Sequence, residues 1–256
     1  MNATLVTRTI FAAAVLLSAH AATAQTTITA WNFTNNSIGT STSPITSTGS
    51  GTASTLGMIN SYTGGSAANT SDISDIELGV AGSQDWRVRG SGNGWNSAAA
   101  EYTQGVQFSE STVGYSNINF TYDWNTTTKG IRDLQEQYTV DGINWINVNP
   151  LQVSNTTQTY MTGIDINFAA LGITNVNNDA NFGVRLVSAY DPTFGAGTSY
   201  TQAGTPTSVM SNTNGNWRFD NISVSGSIIS AVPEPGSYAM MLAGLSLLAF
   251  MKRRKQ

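Results

Sequence analysis

The chain has 256 residues, with 11 Lys/Arg, 15 Asp/Glu, one histidine, no cysteine and a formal net charge of −4. The one histidine, His20, stands near the N-terminus, so the chain beyond it carries neither histidine nor cysteine. That composition excludes a Ser-His-Asp triad, a Cys-His pair, the usual zinc ligand sets and any disulfide.

The first nine residues hold one charged side chain, Arg8; residues 10–17 are apolar, and Ala22-Thr23-Ala24 supplies a small-x-small site. This pattern predicts a signal peptide over residues 1–24 in a helix, cleaved after Ala24 to leave Gln25 as the first mature residue. An uncleaved anchor is the rival reading, although the apolar run is too short to span comfortably. Residues 25–230 then form the exported domain. Setting aside Arg8, the four basic residues 252–255 and Glu234 leaves it six Lys/Arg and 14 Asp/Glu, a net charge of −8. Without a clustered basic patch, nucleic acid is not an expected partner. Acidic oxygens remain for calcium and polar groups for neutral sugars.

Short segments rich in Val, Ile, Thr, Tyr, Phe and Trp recur between Gly, Asn, Ser and Thr clusters, with no long stretch at helical period. A strand is expected at 27–33, followed by a Ser/Thr/Gly-rich loop over 38–55. Asp72, Asp75 and Glu77 fall within six residues. Carboxylates in a loop suit calcium, but the Asp-x-Asn-x-Asp-Gly spacing is missing, and a solvated acidic loop is the competing reading. Strands follow at 85–89 and 105–109. Between them Trp95 sits in Gly90-Ser91-Gly92-Asn93-Gly94-Trp95-Asn96, where an exposed ring would suit sugar stacking; simple packing is the alternative.

The clearest strand is 115–124. Ile118, Phe120, Tyr122 and Trp124 share one face and Asn117, Asn119, Thr121 and Asp123 the other, the alternation of a half-buried antiparallel strand. The next, 133–140, places Leu134, Tyr138 and Val140 on one face, with Glu136 interrupting it. Asp141-Gly142 is expected to turn the chain tightly into a return strand over 143–148 that ends at Pro150. Further strands are expected at 163–168, 182–190 and 217–224, with a loop over 192–214. In the last strand Trp217 and Phe219 differ in parity from Ile222 and Val224, which implies a β-bulge or burial on both faces. Arg87, Arg89, Arg132, Arg185 and Arg218 lie in or beside strands, where pairing with carboxylates is the expected use.

Eight to ten such strands predict an all-β fold, a two-sheet antiparallel sandwich. Paired carboxylates could hydrolyse a glycoside without histidine, and Asp123, Asp133, Glu136 and Asp141 lie close in sequence, with Glu136 aimed at an apolar face that would raise its pKa. No motif selects a pair among them.

The C-terminus reads Val232-Pro233-Glu234-Pro235-Gly236-Ser237, an uncharged apolar run, then Lys252-Arg253-Arg254-Lys255. The prolines break any regular element. The apolar segment 237–251 is expected to be a transmembrane helix held by its basic end in the cytoplasm. Sixteen residues from 236 to 251 make a helix of about 24 Å, short of the ~30 Å hydrocarbon core.

These three parts, in this order over residues 231–256, resemble the PEP-CTERM sorting signal of Gram-negative bacteria. The resemblance implies export across the inner membrane, recognition by an exosortase, and a place at the cell surface or in the extracellular matrix, where such proteins accompany exopolysaccharide or biofilm. A second, looser resemblance is to jelly-roll domains of exported bacterial proteins. It rests on Phe120-Thr121-Tyr122-Asp123-Trp124, the Arg132 to Trp145 hairpin, Val184-Arg185-Leu186 and Asn216-Trp217-Arg218-Phe219-Asp220-Asn221-Ile222. Together they imply a non-enzymatic protein of the exopolysaccharide layer, without a cofactor unless calcium is bound. A carbohydrate-binding module is the alternative, and a carboxylate-dependent glycoside hydrolase a weaker one.

Overall fold

The computed structural model describes residues 24–33, 39–40, 43–57, 59–60, 85–89, 95–157, 159–210, 215–229 and 243–245. The expected signal helix, the Asp72/Asp75/Glu77 cluster, the Val232–Pro235 motif and the Lys252–Lys255 cluster therefore lie outside the described residues, apart from residue 24. Of the expected span 237–251, residues 243–245 are described. Among the described residues no helix is long and apolar enough to cross a membrane.

Strands are β1 (Gln25–Trp31), β2 (Gly39–Thr40), β3 (Ser43–Pro44), β4 (Thr52–Leu56), β5 (Ile59–Asn60), β6 (Trp86–Arg89), β7 (Gly105–Ser109) and β8 (Tyr115–Thr126). They continue with β9 (Asp133–Thr139), β10 (Ile146–Val153), β11 (Met161–Asn167), β12 (Gly183–Ser188), β13 (Thr201–Gln202), β14 (Thr205–Val209) and β15 (Trp217–Ile228). Two antiparallel sheets result. One runs β11-β8-β15-β6-β5 with β1 also on β15, and the other β10-β9-β12-β7-β4. The expected all-β sandwich is the fold.

Alternation explains the interior. Ile118, Phe120, Tyr122 and Trp124 of β8 are all fully buried, as are Val184 and Leu186 of β12 opposite. Phe108 of the five-stranded sheet joins the two layers, edge-on to Trp86 at 5.9 Å and tilted to Phe120 at 5.6 Å. A tryptophan group closes one end: Trp217 meets Trp124 at 5.3 Å and Trp95 at 4.5 Å, and its indole N–H donates to the Ile131 carbonyl at 2.8 Å.

The parity change in β15 is a bulge, with Asn221 at φ 48° and a register shift between Asp220 and Ser223. It falls where the strand changes partner, since Trp217–Phe219 pair with β6 and Ile222–Ser227 with β1. Both alternatives hold, because Trp217 to Asp220 are also buried on both faces.

Three expectations need correction. The stretch 38–55 contains β4, whose Ala53 is fully buried and which pairs with β7, so a polar composition here marks an edge strand. The 192–214 stretch includes the β13–β14 ribbon. The return strand begins at Ile146 and continues past Pro150 to Val153. Proline is tolerated there because β10 is an edge strand whose register shifts between Val148 and Gln152, where no ladder N–H is required.

Candidate functional site

The four carboxylates considered for hydrolysis are separated by the fold. Asp123 points away from the core on β8, between two bulged neighbours. Its Oδ1 accepts the Gly163 N–H at 2.7 Å and its Oδ2 the Asn221 side-chain amide at 2.7 Å. Gly163 has φ 62°, so Asp123 fastens two left-handed residues, one on each flanking strand. Glu136 instead lies between the sheets, where the Tyr122 hydroxyl donates to it at 2.7 Å. Burial pushes its pKa up to about 7, and the Tyr122 hydrogen bond opposes that.

Asp133 begins β9 on the outer side, where Thr201 donates to it at 3.3 Å. Burial raises it to about 6. The neighbouring Asp191 takes Arg132 at 2.6 Å. Asp141 stands in the exposed hairpin turn. The Ile143 and Asn144 backbone N–H groups donate to its Oδ1 at 2.8 and 2.7 Å, and the Asn144 side chain to its Oδ2 at 2.6 Å. These hydrogen bonds, the Asn144 side chain first, hold its carboxyl well below the usual range. Each acid has a local structural task, and no two of the four converge. Among the described residues no group of three or more His, Cys, Asp or Glu could hold a metal.

Trp95 is not the expected exposed plate. It is fully buried and packs edge-on to Trp217. Trp95 belongs to the core at the end of the sandwich. All six tryptophans are among the described residues; Trp31, Trp86, Trp95, Trp124 and Trp217 are fully buried, and Trp145 keeps partial exposure.

Trp145 follows the Asp141 turn and lies on the outer face of the five-stranded sheet. The Arg185 guanidinium carbon sits 3.9 Å from its ring centroid. A Cβ added at Gly183 would come 3.1 Å from the indole, so the missing side chain gives the ring its seat. Arg185 in turn donates through Nε to Gln107 Oε1 at 2.8 Å, and Gln137 donates to Asn147 Oδ1 at 2.8 Å. Register aligns these side chains into one transverse row, Asn147–Gln137–Arg185–Gln107–Ser54, crossing all five strands. Arg185 has no carboxylate partner among the described residues, in contrast to Arg132 with Asp191 and Arg218 with Asp85 at 3.9 Å. Burial lowers the Arg185 pKa. Pairing of strand arginines with carboxylates is thus met at two positions and not at Arg185. No motif flags this row, because its members are far apart in sequence. The one local signal was Trp145, three residues after the Asp141-Gly142 turn.

Residues 231–255 match the PEP-CTERM protein-sorting motif. That motif implies an exosortase substrate and export. No curated protein matches the chain. Among solved structures, the N-terminal CBM22-1–CBM22-2 tandem domain of Xyn10C from Paenibacillus barcinonensis is similar at TM-score 0.41 and 15% identity, over 85% of this chain and 50% of that one. The chain thus spans half the length of that tandem. The CBM22-1 xylan-binding domain of the same protein is similar at TM-score 0.40 and 14% identity, over 83% of this chain and 100% of that one. Likeness this distant carries no argument about a ligand; the sandwich rests on the strand pairing itself.

Proposed function

We propose that this chain is an exported, non-catalytic β-sandwich that works in the extracellular polysaccharide layer after sorting by its tail. The observation that carries the reading is the sorting motif at 231–255. Composition supports it, since residues 25–230 hold no histidine or cysteine, and so does the structural employment of Asp123, Glu136 and Asp141. Residues 1–24 are removed on export, and residues 25–230 form the working domain. Residues 237–251 hold the protein in the inner membrane, with Lys252–Lys255 on the cytoplasmic side, until the exosortase cuts beyond Pro235. No cofactor is assigned; Asp72, Asp75 and Glu77 are the one place where calcium is proposed.

Mass spectrometry of the released form, with fractionation of cells and matrix, tests this directly. The expected product begins at Gln25, lacks Lys252–Gln256 and is found with the polysaccharide. An intact C-terminus in released protein would defeat exosortase cutting, and a purely periplasmic location would defeat the matrix role. Release of reducing sugar from the layer by purified protein would favour the hydrolase instead. A chelator that leaves the melting temperature unchanged removes the calcium assignment.

A further inference from the structure

We propose that the outer face of the five-stranded sheet is a binding surface for a neutral polysaccharide, with Trp145 as its stacking plate and Asn147, Arg185 and Gln107 as its hydroxyl-reading groups, aligned through the buried Gln137. The proposal rests on the preceding reading, that the protein works among polysaccharides, and gives that reading a site.

Three independent features converge there. The first is Trp145, seated over Arg185 at 3.9 Å and partly exposed while the other five tryptophans are fully buried. A planar apolar ring held against a sheet can stack on the apolar face of a pyranose with little conformational entropy to lose. Its hairpin is already fixed, because Asp141 collects the Ile143 and Asn144 backbone N–H groups, and Thr139 donates to the same carboxylate at 2.9 Å. The second is the row itself. Amide and guanidinium groups on four strands and the Ser54 hydroxyl on the fifth lie side by side in register, a span of roughly 19 Å at the usual strand spacing. That extent suits a chain of sugars better than a single small molecule. Hydrogen bonds within the row orient the planes; Gln137 is buried, while Asn147 is exposed and Arg185 and Gln107 are partly exposed.

The third feature is Arg185. It is partly buried, and among the described residues its one hydrogen bond goes to Gln107. A guanidinium has five N–H donors; Arg185 is absent from the buried unsatisfied groups, so the donors not given to Gln107 reach solvent, where another acceptor can take them. Sugar hydroxyl and ring oxygens are neutral acceptors of the required kind. The net charge of −8 over residues 25–230 repels a polyanion, and one arginine does not make a basic patch. A neutral chain is therefore the occupant.

The experiment is affinity electrophoresis and calorimetry of the full chain in detergent micelles. The probes are soluble neutral glucan, mannan and xylan, and, separately, polygalacturonate. At least one neutral polymer is expected to bind, with Trp145→Ala weakening it about tenfold and Arg185→Gln several-fold, while the melting temperature stays within a few degrees. Should Trp145→Ala fail to fold, Asn147→Ala, an exposed change at the same row, carries the test. Undiminished binding in these variants overturns the site while leaving the matrix role intact, because that role is judged separately by fractionation. Binding of polygalacturonate alone, or of no polymer, overturns the proposal.

Discussion

The two outer faces of the sandwich use similar residues to opposite ends. On the six-stranded sheet, Asp123 accepts from Gly163 and Asn221, Asp220 takes the Asn221 backbone N–H at 2.7 Å, and Arg218 lies between Asn216 at 3.1 Å and Asp85. Asp123, Arg218 and Asp220 are nearly inaccessible. On the five-stranded sheet, Arg185 meets an amide and an indole in place of an acid, and its neighbours Gln107 and Asn147 remain open to solvent. Buried polar groups on the first face are consumed in pinning strand irregularities. On the second, Arg185, Gln107 and Asn147 are oriented without being consumed. Composition alone does not distinguish the two uses; hydrogen-bond accounting does.

Substitutions can break this contrast at graded cost. Trp217→Ala should have the largest effect, about 3–5 kcal/mol by chemical denaturation, since it removes a core ring that contacts Trp95 and Trp124. Asp123→Ala comes next. It strips partners from both bulges and should cost about 2–3 kcal/mol, the range for buried polar groups left unpaired. A cost below about 0.5 kcal/mol would mean that the six-stranded face is no more consumed than the other. Arg185→Gln and Trp145→Ala should change stability by less than about 1 kcal/mol, as partly exposed side chains do. If either costs as much as Asp123→Ala, the row is structural and the contrast collapses.

The interior between the faces predicts a pH dependence of its own. Both carboxyl oxygens of Glu110 are buried without a hydrogen-bond partner among the described residues, and burial pushes its pKa up to about 8. Glu136 is raised in the same direction, to about 7. An acid whose folded pKa exceeds its unfolded value near ~4.5 keeps its proton in the folded state after the unfolded chain has lost it. Stability should therefore fall as pH rises from about 4.5 through about 8, and level off above that. Thermal melts at pH 5 and pH 8 should show the more acidic sample to be the more stable. Glu110→Gln should flatten the slope and recover about 1–3 kcal/mol at pH 8. A slope unchanged by Glu110→Gln would place the titration elsewhere.

Much of the architecture was legible along the chain. The alternation at 115–124 identified the buried face of β8, the parity change at Asp220-Asn221 announced a bulge, and Glu136 was correctly placed on an inward face. Each of these is a local consequence of the two-residue strand period. The tail was equally readable, because a sorting motif is a linear signal. The candidate site was not. Trp95 looked exposed because glycines precede it, yet glycine permits any path, including one into the core. The β4 strand was hidden by its Ser and Thr residues, which suit an edge position as well as a loop.

Local pattern along the chain suffices for the all-β class, the absence of histidine and cysteine chemistry beyond residue 20, the inward faces of the main strands and the address carried by residues 231–255. Folding in three dimensions set which tryptophan stays near solvent, which arginine meets an indole and an amide, and that Asn147, Gln137, Arg185, Gln107 and Ser54 stand in one row. The reason is physical. Periodicity records which side chains share a face of one strand, whereas exposure and partnership depend on register and cover from strands up to a hundred residues away.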